Sequence, residues 1–329
     1  MQLYTDTISN DKSNTYGIEC LRGRKVLDTR PLWEEVFSED SKAFTDYYFA
    51  IKAVGNTAFI CRHLPTGEIV SMVHLTPCEM TIRGKSVQTY YIVGVATRES
   101  HRHKGLMSTL LNKSFDYAAG LHCPFVFLMP ANPAIYEPFG FSYIYSRPQY
   151  VIPESLSQKE VYISNFPAGE ICIQPLEKET SSQILNALAD FASKTLSAQY
   201  DYYLTRTPSY YRTLLLELYA QNGCIYTFTL HGQLEGYFLY AKEEKSPFIQ
   251  ELLFSDKLYS FQSDIMSTLF PHALSETKPV IMAKNLIPAS ASLSNGSAVS
   301  KLHFDEASMQ IPNYVNFLST HKGFINEIV

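Results

Sequence analysis

No stretch of this 329-residue sequence approaches the ~20 consecutive apolar residues of a membrane-spanning helix, and no apolar N-terminal segment resembles a signal peptide. A cytoplasmic protein without membrane association is therefore expected. No Cys-x-x-Cys pair occurs among the scattered cysteines Cys20, Cys61, Cys78, Cys123, Cys172 and Cys224. That spacing speaks against a zinc site or a disulfide framework and for reduced, mostly buried thiols; no metal is expected. Positive charge is not in excess. Lys and Arg number 27 against 32 Asp and Glu, a net charge of −5, so nucleic acid is not an expected partner while a cationic amine would be attracted. Two phosphate-binding signatures are also missing. There is no Gly-x-x-x-x-Gly-Lys followed by Ser or Thr, and no strand is followed by a three-glycine dinucleotide turn. What is present is a globular composition, 46% hydrophobic and 18% charged, with a length that suggests two domains.

The most informative stretch runs from Tyr91 to Met107. Tyr91-Ile92-Val93-Gly94-Val95-Ala96-Thr97 is apolar and β-branched without alternation, the pattern of a strand buried on both faces. His101-Arg102-His103-Lys104-Gly105-Leu106-Met107 follows at once, and Leu106, Leu110 and Ala118 then recur at helical spacing until Gly120. A strand, a short basic turn and a helix N-terminus together favour an anion: the first-turn amides lack partners and the helix dipole points its positive end at them. Gly105 permits close approach of a phosphate, and Arg102 and Lys104 add mobile positive charge. With the nucleotide motifs absent, the turn is expected to hold a pyrophosphate.

The string Arg102-His103-Lys104-Gly105-Leu106, behind a Val-Gly-Val-Ala-Thr strand, resembles the coenzyme A signature of the GNAT superfamily of acetyltransferases. A second block sharpens the resemblance. The apolar run Phe125 to Ala131 leads into Asn132-Pro133-Ala134-Ile135-Tyr136-Glu137-Pro138-Phe139-Gly140-Phe141, and the order of elements is similar to the enhanced-intracellular-survival (Eis) type. Met107 stands where ordinary superfamily members prefer Gly or Ala, a departure that the Eis-like branch tolerates. The likeness to the catalytic domain covers roughly residues 1 to 150, with its motifs between 91 and 141.

The resemblance implies an α/β (α+β) fold of two tandem GNAT-like domains, mixed central sheets flanked by helices, with a short C-terminal tail. Residues 1–152 would be the catalytic domain, 153–169 a linker, 170–285 a degenerate GNAT-like domain and 286–329 the tail. Within the first domain, helices are expected at Arg30 to Asp40 and Ser41 to Ile51. Strands are expected at Thr57 to Arg62, Glu68 to Leu75, Glu79 to Arg83 and Tyr143 to Ile152. The second half repeats the order: strand Glu170 to Pro175, helices Ser181 to Thr195 and Ser209 to Gln221, then strands Cys224 to Leu230, Gln233 to Ala241 and Phe248 to Phe254. A last helix spans Ser260 to Leu269. No Arg-x-x-Gly turn follows Phe254, so coenzyme A is expected only in the first domain. Eis-like proteins carry a third, sterol-carrier-like domain. Here the stretch after Pro279 reads as a remnant, with a Ser/Ala-rich segment at Pro288 to Ser300 and a final strand from Gly323 to Val329.

Residue roles follow from the resemblance. The signature strand would offer backbone N–H groups of Val93, Val95 and Thr97 to acetyl-CoA, with Val95 nearest the thioester oxygen. Arg102, His103, Lys104, Gly105, Leu106 and Met107 would hold the pyrophosphate. Tyr136 matches the family's general acid, its phenol being protonated at neutral pH. Asn132, at the start of the same helix, would reach the pantetheine arm. In the Eis-like family the terminal carboxylate is the general base, a role that would pass to Val329. The reaction implied is N-acetyl transfer to a primary amine by direct attack through a tetrahedral intermediate. The acceptor is either a small-molecule amine of the polyamine or aminoglycoside kind or a lysine side chain. The alternative from another class is a non-catalytic acyl-CoA sensor or assembly module. Homo-oligomerisation is left open. Ordinary readings stand beside these. Glu34, Glu35, Glu39 and Asp40 suit a solvated helix as well as an amine-binding wall, His101 and His103 suit an exposed turn, and Trp33, Phe44, Tyr47 and Tyr48 suit core packing.

Overall fold

The computed structural model describes residues 15–152, 161–164, 167, 169–242, 247–286 and 314–325. In chain order the first elements are β1 (Tyr16–Arg22), α1 (Arg30–Val36), α2 (Lys42–Tyr47), β2 (Thr57–His63), β3 (Glu68–Ile82), β4 (Lys85–Thr97), α3 (Leu106–Gly120), β5 (Phe125–Leu128) and β6 (Ser142–Val151). Then come β7 (Val161–Ile163), β8 (Ile171–Pro175), α4 (Ser182–Gln199), β9 (Tyr202–Leu204), α5 (Pro208–Ala220), β10 (Cys224–Leu230), β11 (Gln233–Lys242) and β12 (Pro247–Phe254). The last are α6 (Asp256–Tyr259), α7 (Gln262–Leu269), β13 (Leu274–Asn285), α8 (Tyr314–Thr320) and β14 (Gly323–Phe324). The mixed α/β class expected from the sequence is what the chain adopts.

Two compact units result. One draws on residues 1–40, 48–145 and 280–322, the other on 41–47, 146–279 and 323–329.

In the first unit the strand order is β1-β2-β3-β4-β5-β13. Every pairing is antiparallel except β4 with β5, which is parallel because α3 carries the chain back between them. Leu110, Leu111, Phe115 and Ala118 form the buried stripe of α3, packed on Phe59, Cys61, Val73, Leu75 and Ile92 from β2, β3 and β4. Residues Met282 to Asn285 of β13 pair with Leu128 to Phe125, so a segment from late in the chain closes the open side of β5. Tyr314 of α8 stacks on Phe125 at 5.5 Å, and the Val315 amide donates to Asn285 Oδ1 at 3.1 Å.

The second unit has the order β12-β11-β10-β8-β7, all antiparallel, with the end of β6 pairing β12 through Val151↔Phe248 and Tyr150↔Ile249. Helices α4 and α5 cover one face, capped by Ser181 and Thr207, whose hydroxyls accept from the Ile184 and Tyr210 amides. Residues of α6 and α7, among them Leu258, Ile265 and Met266, pack into a second cluster with Phe228 and Phe238. Helix α2 joins this unit: the Tyr47 hydroxyl donates to the Thr213 carbonyl and to Glu217 Oε2, each at 3.0 Å.

Several expected elements change form. Glu68 to Leu75 and Glu79 to Arg83 are one strand, β3. Pro77 lies inside it, beyond the end of the β2 ladder at Leu75. The second expected helix is α2 followed by a π turn at Tyr48–Lys52. The expected linker contains β7, paired with β8. Strands β1, β9 and β13 and helix α8 were not expected. The Ser/Ala-rich stretch and Val329 lie outside the described residues. Among the described residues no helix is long and apolar enough to cross a membrane. All six cysteines are free; burial pushes the thiols of Cys61, Cys123 and Cys224 up to about 11, leaving them inert at neutral pH.

Candidate active site

The site is built around an irregularity in β4. Met72 faces Ala96 and His74 faces Val93, so two steps along β3 match three along β4, and the extra residue forms a bulge at Gly94–Val95. Gly94 has φ +61°, and a Cβ there would stand 2.5 Å from the Trp33 indole. Glycine is therefore demanded twice at this position, by conformation and by space. The β4–β5 ladder consists of Tyr90↔Val126 and Tyr91↔Phe127, while β4 runs on to Thr97. Beyond Tyr91 the two parallel strands no longer pair, which leaves a strand edge able to bond something other than protein. Val93, Val95 and Thr97 are half-buried along it. The Thr97 hydroxyl bonds Ser71 Oγ at 2.8 Å, fixing the end of the strand.

The turn after β4 is shaped as an anion cradle. Arg98 anchors its start, with the guanidinium on Glu35 and Glu68 at 2.9 Å each. Arg102 Nε donates to the Thr97 carbonyl at 3.1 Å, folding the turn back on the strand. His103 and Gly105 both have positive φ (+61° and +74°), and Gly105 is the N-cap of α3 with nothing within 4 Å of where a Cβ would sit. The first-turn amides of a helix have no intrahelical partner and favour an anion. Arg102, His103 and Lys104 are exposed around it, and Leu106 and Met107 are half-buried, packed with Val95 against the core under α3. Lys104 Nζ donates to the Tyr16 hydroxyl at 3.1 Å, and that hydroxyl also bonds His101 Nδ1 at 2.8 Å. Burial and the nearby Lys104 cation hold the His101 imidazole below its ordinary value. Backbone donors, cations and open space therefore coincide at this turn.

Tyr136 lies across the same core. It is 9% exposed, clusters with Ile92 and Leu128, and meets the Phe141 ring edge-on at 5.8 Å. Burial pushes its phenol up to about 12, so it stays protonated well beyond the pH range in which an ordinary tyrosine does. Its hydroxyl has no hydrogen-bond partner among the described residues. The helix expected to carry it is absent. Pro133 and Pro138 each start a short 3-10 turn, Pro133–Ile135 and Glu137–Phe139, and Tyr136 sits at their junction. Asn132 caps the first turn, its Oδ1 accepting from the Ala134 amide at 3.1 Å, which leaves its side-chain NH₂ as the group able to reach a ligand. Val329 lies outside the described residues.

Three of the acidic residues near α1 have structural work. Glu34 pairs with Arg30 at 2.7 Å, Glu35 with Arg98, and Asp40 accepts from Trp33 Nε1 at 2.8 Å. Sequence reasoning missed the group behind the bulge. His74 and Tyr48 are fully buried, the Tyr48 hydroxyl bonds His74 Nδ1 at 3.0 Å, and Asn56 Nδ2 donates to Tyr48 at 3.0 Å. Nothing in the local pattern marks His74, one of several polar residues in β3. Among the described residues no three ligating side chains converge as a metal site. A polar cavity of about 380 Å³, lined by Gly140, Ser142, Asn285, Val315, Asn316 and Ser319, opens beside α8.

Residues 22–144 match the family described as Acetyltransferase (GNAT) domain. No curated protein sequence matches the chain. Among solved structures, a conserved protein of unknown function from Enterococcus faecalis shares the fold at TM-score 0.63 and 13% identity, over 83% of this chain and 73% of that one. Eis1 from Mycobacterium abscessus does so at TM-score 0.57 and 14% identity, over 82% and 73%. N-myristoyltransferase from Saccharomyces cerevisiae, solved with bound myristoyl-CoA, is similar at TM-score 0.52 and 12% identity, over 81% and 73%.

Proposed function

We propose that this chain, whose residues 22–144 match the acetyltransferase (GNAT) domain, moves an acyl group, acetyl in the first instance, from coenzyme A to a primary amine. The observation that carries the reading is the parting of β4 from β5 after Tyr91, followed directly by the His103–Gly105 cradle. Strand edge and cradle follow one another along a single run of chain, as an extended ligand with a diphosphate at one end requires. Coenzyme A, when bound, supplies the acyl group in activated form as a thioester.

In this reading Gly105, Leu106 and Met107 present backbone to the diphosphate, and Arg102, His103 and Lys104 neutralise it from the exposed side. Val93 and Thr97 bond the pantetheine arm through their backbone, with the Asn132 amide opposite. The Val95 N–H, turned outward by the bulge, polarises the carbonyl as the amine attacks. The C–S bond breaks as Tyr136 delivers its proton to the departing thiolate, and the proton lost by the amine nitrogen passes to water. A phenol raised by burial is a weaker acid in water, yet it needs no ionised neighbour to stay charged with its proton. The acceptor is a primary amine, either on a small molecule or on a lysine side chain, and the net charge of −5 favours its approach.

Calorimetric titration with acetyl-CoA, followed by thiol release against polyamines, aminoglycosides and a lysine peptide, tests this. Saturable binding with amine-dependent release is expected. Binding without release from any amine would favour an acyl-CoA sensor, and absence of binding removes the reading. Gly105→Asp sets a carboxylate in the cradle at a positive φ and should abolish cofactor binding; unchanged affinity in that variant would dismiss the cradle.

A further inference from the structure

We infer that Trp33 is a positioning residue for acyl transfer, its indole wedged on Gly94 so that the β4 bulge holds the Val95 N–H in the direction the thioester oxygen needs. The inference rests on the acyl-transfer reading above. A bulge by itself is a soft place in a ladder, because the extra residue has several ways to pack. Here one ring removes the choice. A Cβ on Gly94 would fall 2.5 Å from Trp33 Cζ3 and 3.1 Å from Cε3, so the indole already fills the space into which residue 94 could relax.

The ring is itself held on its other sides. It stacks on Tyr48 at 4.3 Å with 26° between planes, and it meets Phe37 at 4.8 Å, Phe49 edge-on at 5.7 Å and His74 at 5.8 Å. The π turn at Tyr48–Lys52 is what brings Tyr48 and Phe49, adjacent in sequence, onto the same ring. Trp33 Nε1 donates to Asp40 Oδ2, pinning the indole against rotation. The Tyr48 hydroxyl bonds His74 Nδ1, and His74 is the direct cross-strand partner of Val93. The brace therefore starts on one residue of the bulge, Gly94, and returns to its neighbour, Val93, through buried groups. Space-filling alone does not require such closure.

Two readouts separate positioning from simple packing. Trp33 is the sole tryptophan, so all indole emission reports from the bulge. In the native protein, emission should change saturably with acetyl-CoA and less with free coenzyme A, which has no carbonyl to accept the Val95 N–H. With carbonyl-labelled [¹³C]acetyl-CoA, the bound resonance should move downfield in native protein and less so in Trp33→Leu. Trp33→Phe should restore part of the shift. Because displacement of reacting groups by about 1 Å can cost ~10²-fold, kcat for thiol release should fall by roughly 10- to 100-fold in Trp33→Leu while cofactor affinity is kept. A Trp33→Leu protein that binds acetyl-CoA with the native carbonyl shift and native kcat overturns the inference. If that variant does not fold, the native titration decides: emission indifferent to the acetyl group sinks the inference. Calorimetry on the same samples keeps the two failures apart, since acetyl-CoA that does not bind native protein removes the acyl-transfer reading first.

Discussion

Tyr136 shows how a side chain's surroundings decide its chemistry. The phenol lies among Ile92, Leu128 and Phe141, and burial raises it to about 12. On the proposed acyl-transfer reading, in which Tyr136 is the proton donor, Tyr136→Phe should lower kcat by ~10²- to 10⁴-fold with cofactor affinity retained, as measured by thiol release and calorimetry on one preparation. The same burial fixes a pH signature: the donor remains protonated up to about pH 11, so an alkaline fall in rate between pH 8 and 10 must belong to another group. His74 makes the opposite case. Full burival of the imidazole lowers it to about 3, against about 6.5 unfolded, so the unfolded chain binds the extra proton between these values. Stability should therefore be whole above pH 6.5 and decline as pH falls toward 3. Denaturant midpoints for His74→Gln should show a shallower decline; an unchanged slope would clear His74 of the effect. The cradle residues were legible because Arg102, Lys104 and Gly105 form a local string. His74 was not, because its partners Tyr48 and Asn56 are brought to it only by the fold.

At the scale of elements, apolar runs and turn residues located most strands of both halves, and Cys224–Leu230 lies where its pattern puts it. The failures have physical causes. The helix expected from Asn132 is instead two 3-10 turns, because Pro133 and Pro138 each deny the backbone a donor. Strand β13 was invisible because its partner strand, β5, lies far away in sequence. Also unforeseen was the polar pair between α5's leading loop and β12. Arg206 and Glu251 are at 0% and 1% side-chain exposure, with Nη2 and Oε2 2.9 Å apart, and Glu251 also accepts from the Tyr237 hydroxyl, which Tyr211 bonds at 3.0 Å. The guanidinium faces the Tyr210 ring at 4.4 Å. Glu251→Gln leaves that guanidinium buried without a counter-charge and should cost about 3–5 kcal/mol in chemical denaturation. Replacing both partners with apolar residues of similar volume should cost much less, and a double variant as unstable as the single one would refute that account.

For the whole molecule, the chain order and the packing order differ. Residues 280–322 complete the unit that begins at the N-terminus, and residues 41–47 belong with the other unit. A chain ended after residue 279 would lose Met282 to Asn285 from the open side of β5, together with α8. Its first unit should become protease-sensitive and lose amide-exchange protection in Phe125 to Leu128, while loss of Phe324 loosens the α4–α5 core as well. Equal protection in the truncated and full chains would show that β13 is dispensable.

The late return of β13 also sets a clock. Strand β5 leaves the ribosome long before its partner exists, because Met282 is made roughly 150 residues after Leu128, which at ~5–20 residues per second means about 8 to 30 s of waiting. Throughout that interval Phe125-Val126-Phe127-Leu128 offers an unpaired, wholly apolar edge, the kind of surface that nascent-chain chaperones hold and that misassembles when they do not. The yield of this protein in a cell should therefore respond to the speed of translation across residues 129 to 285 more than to the stability of the finished fold.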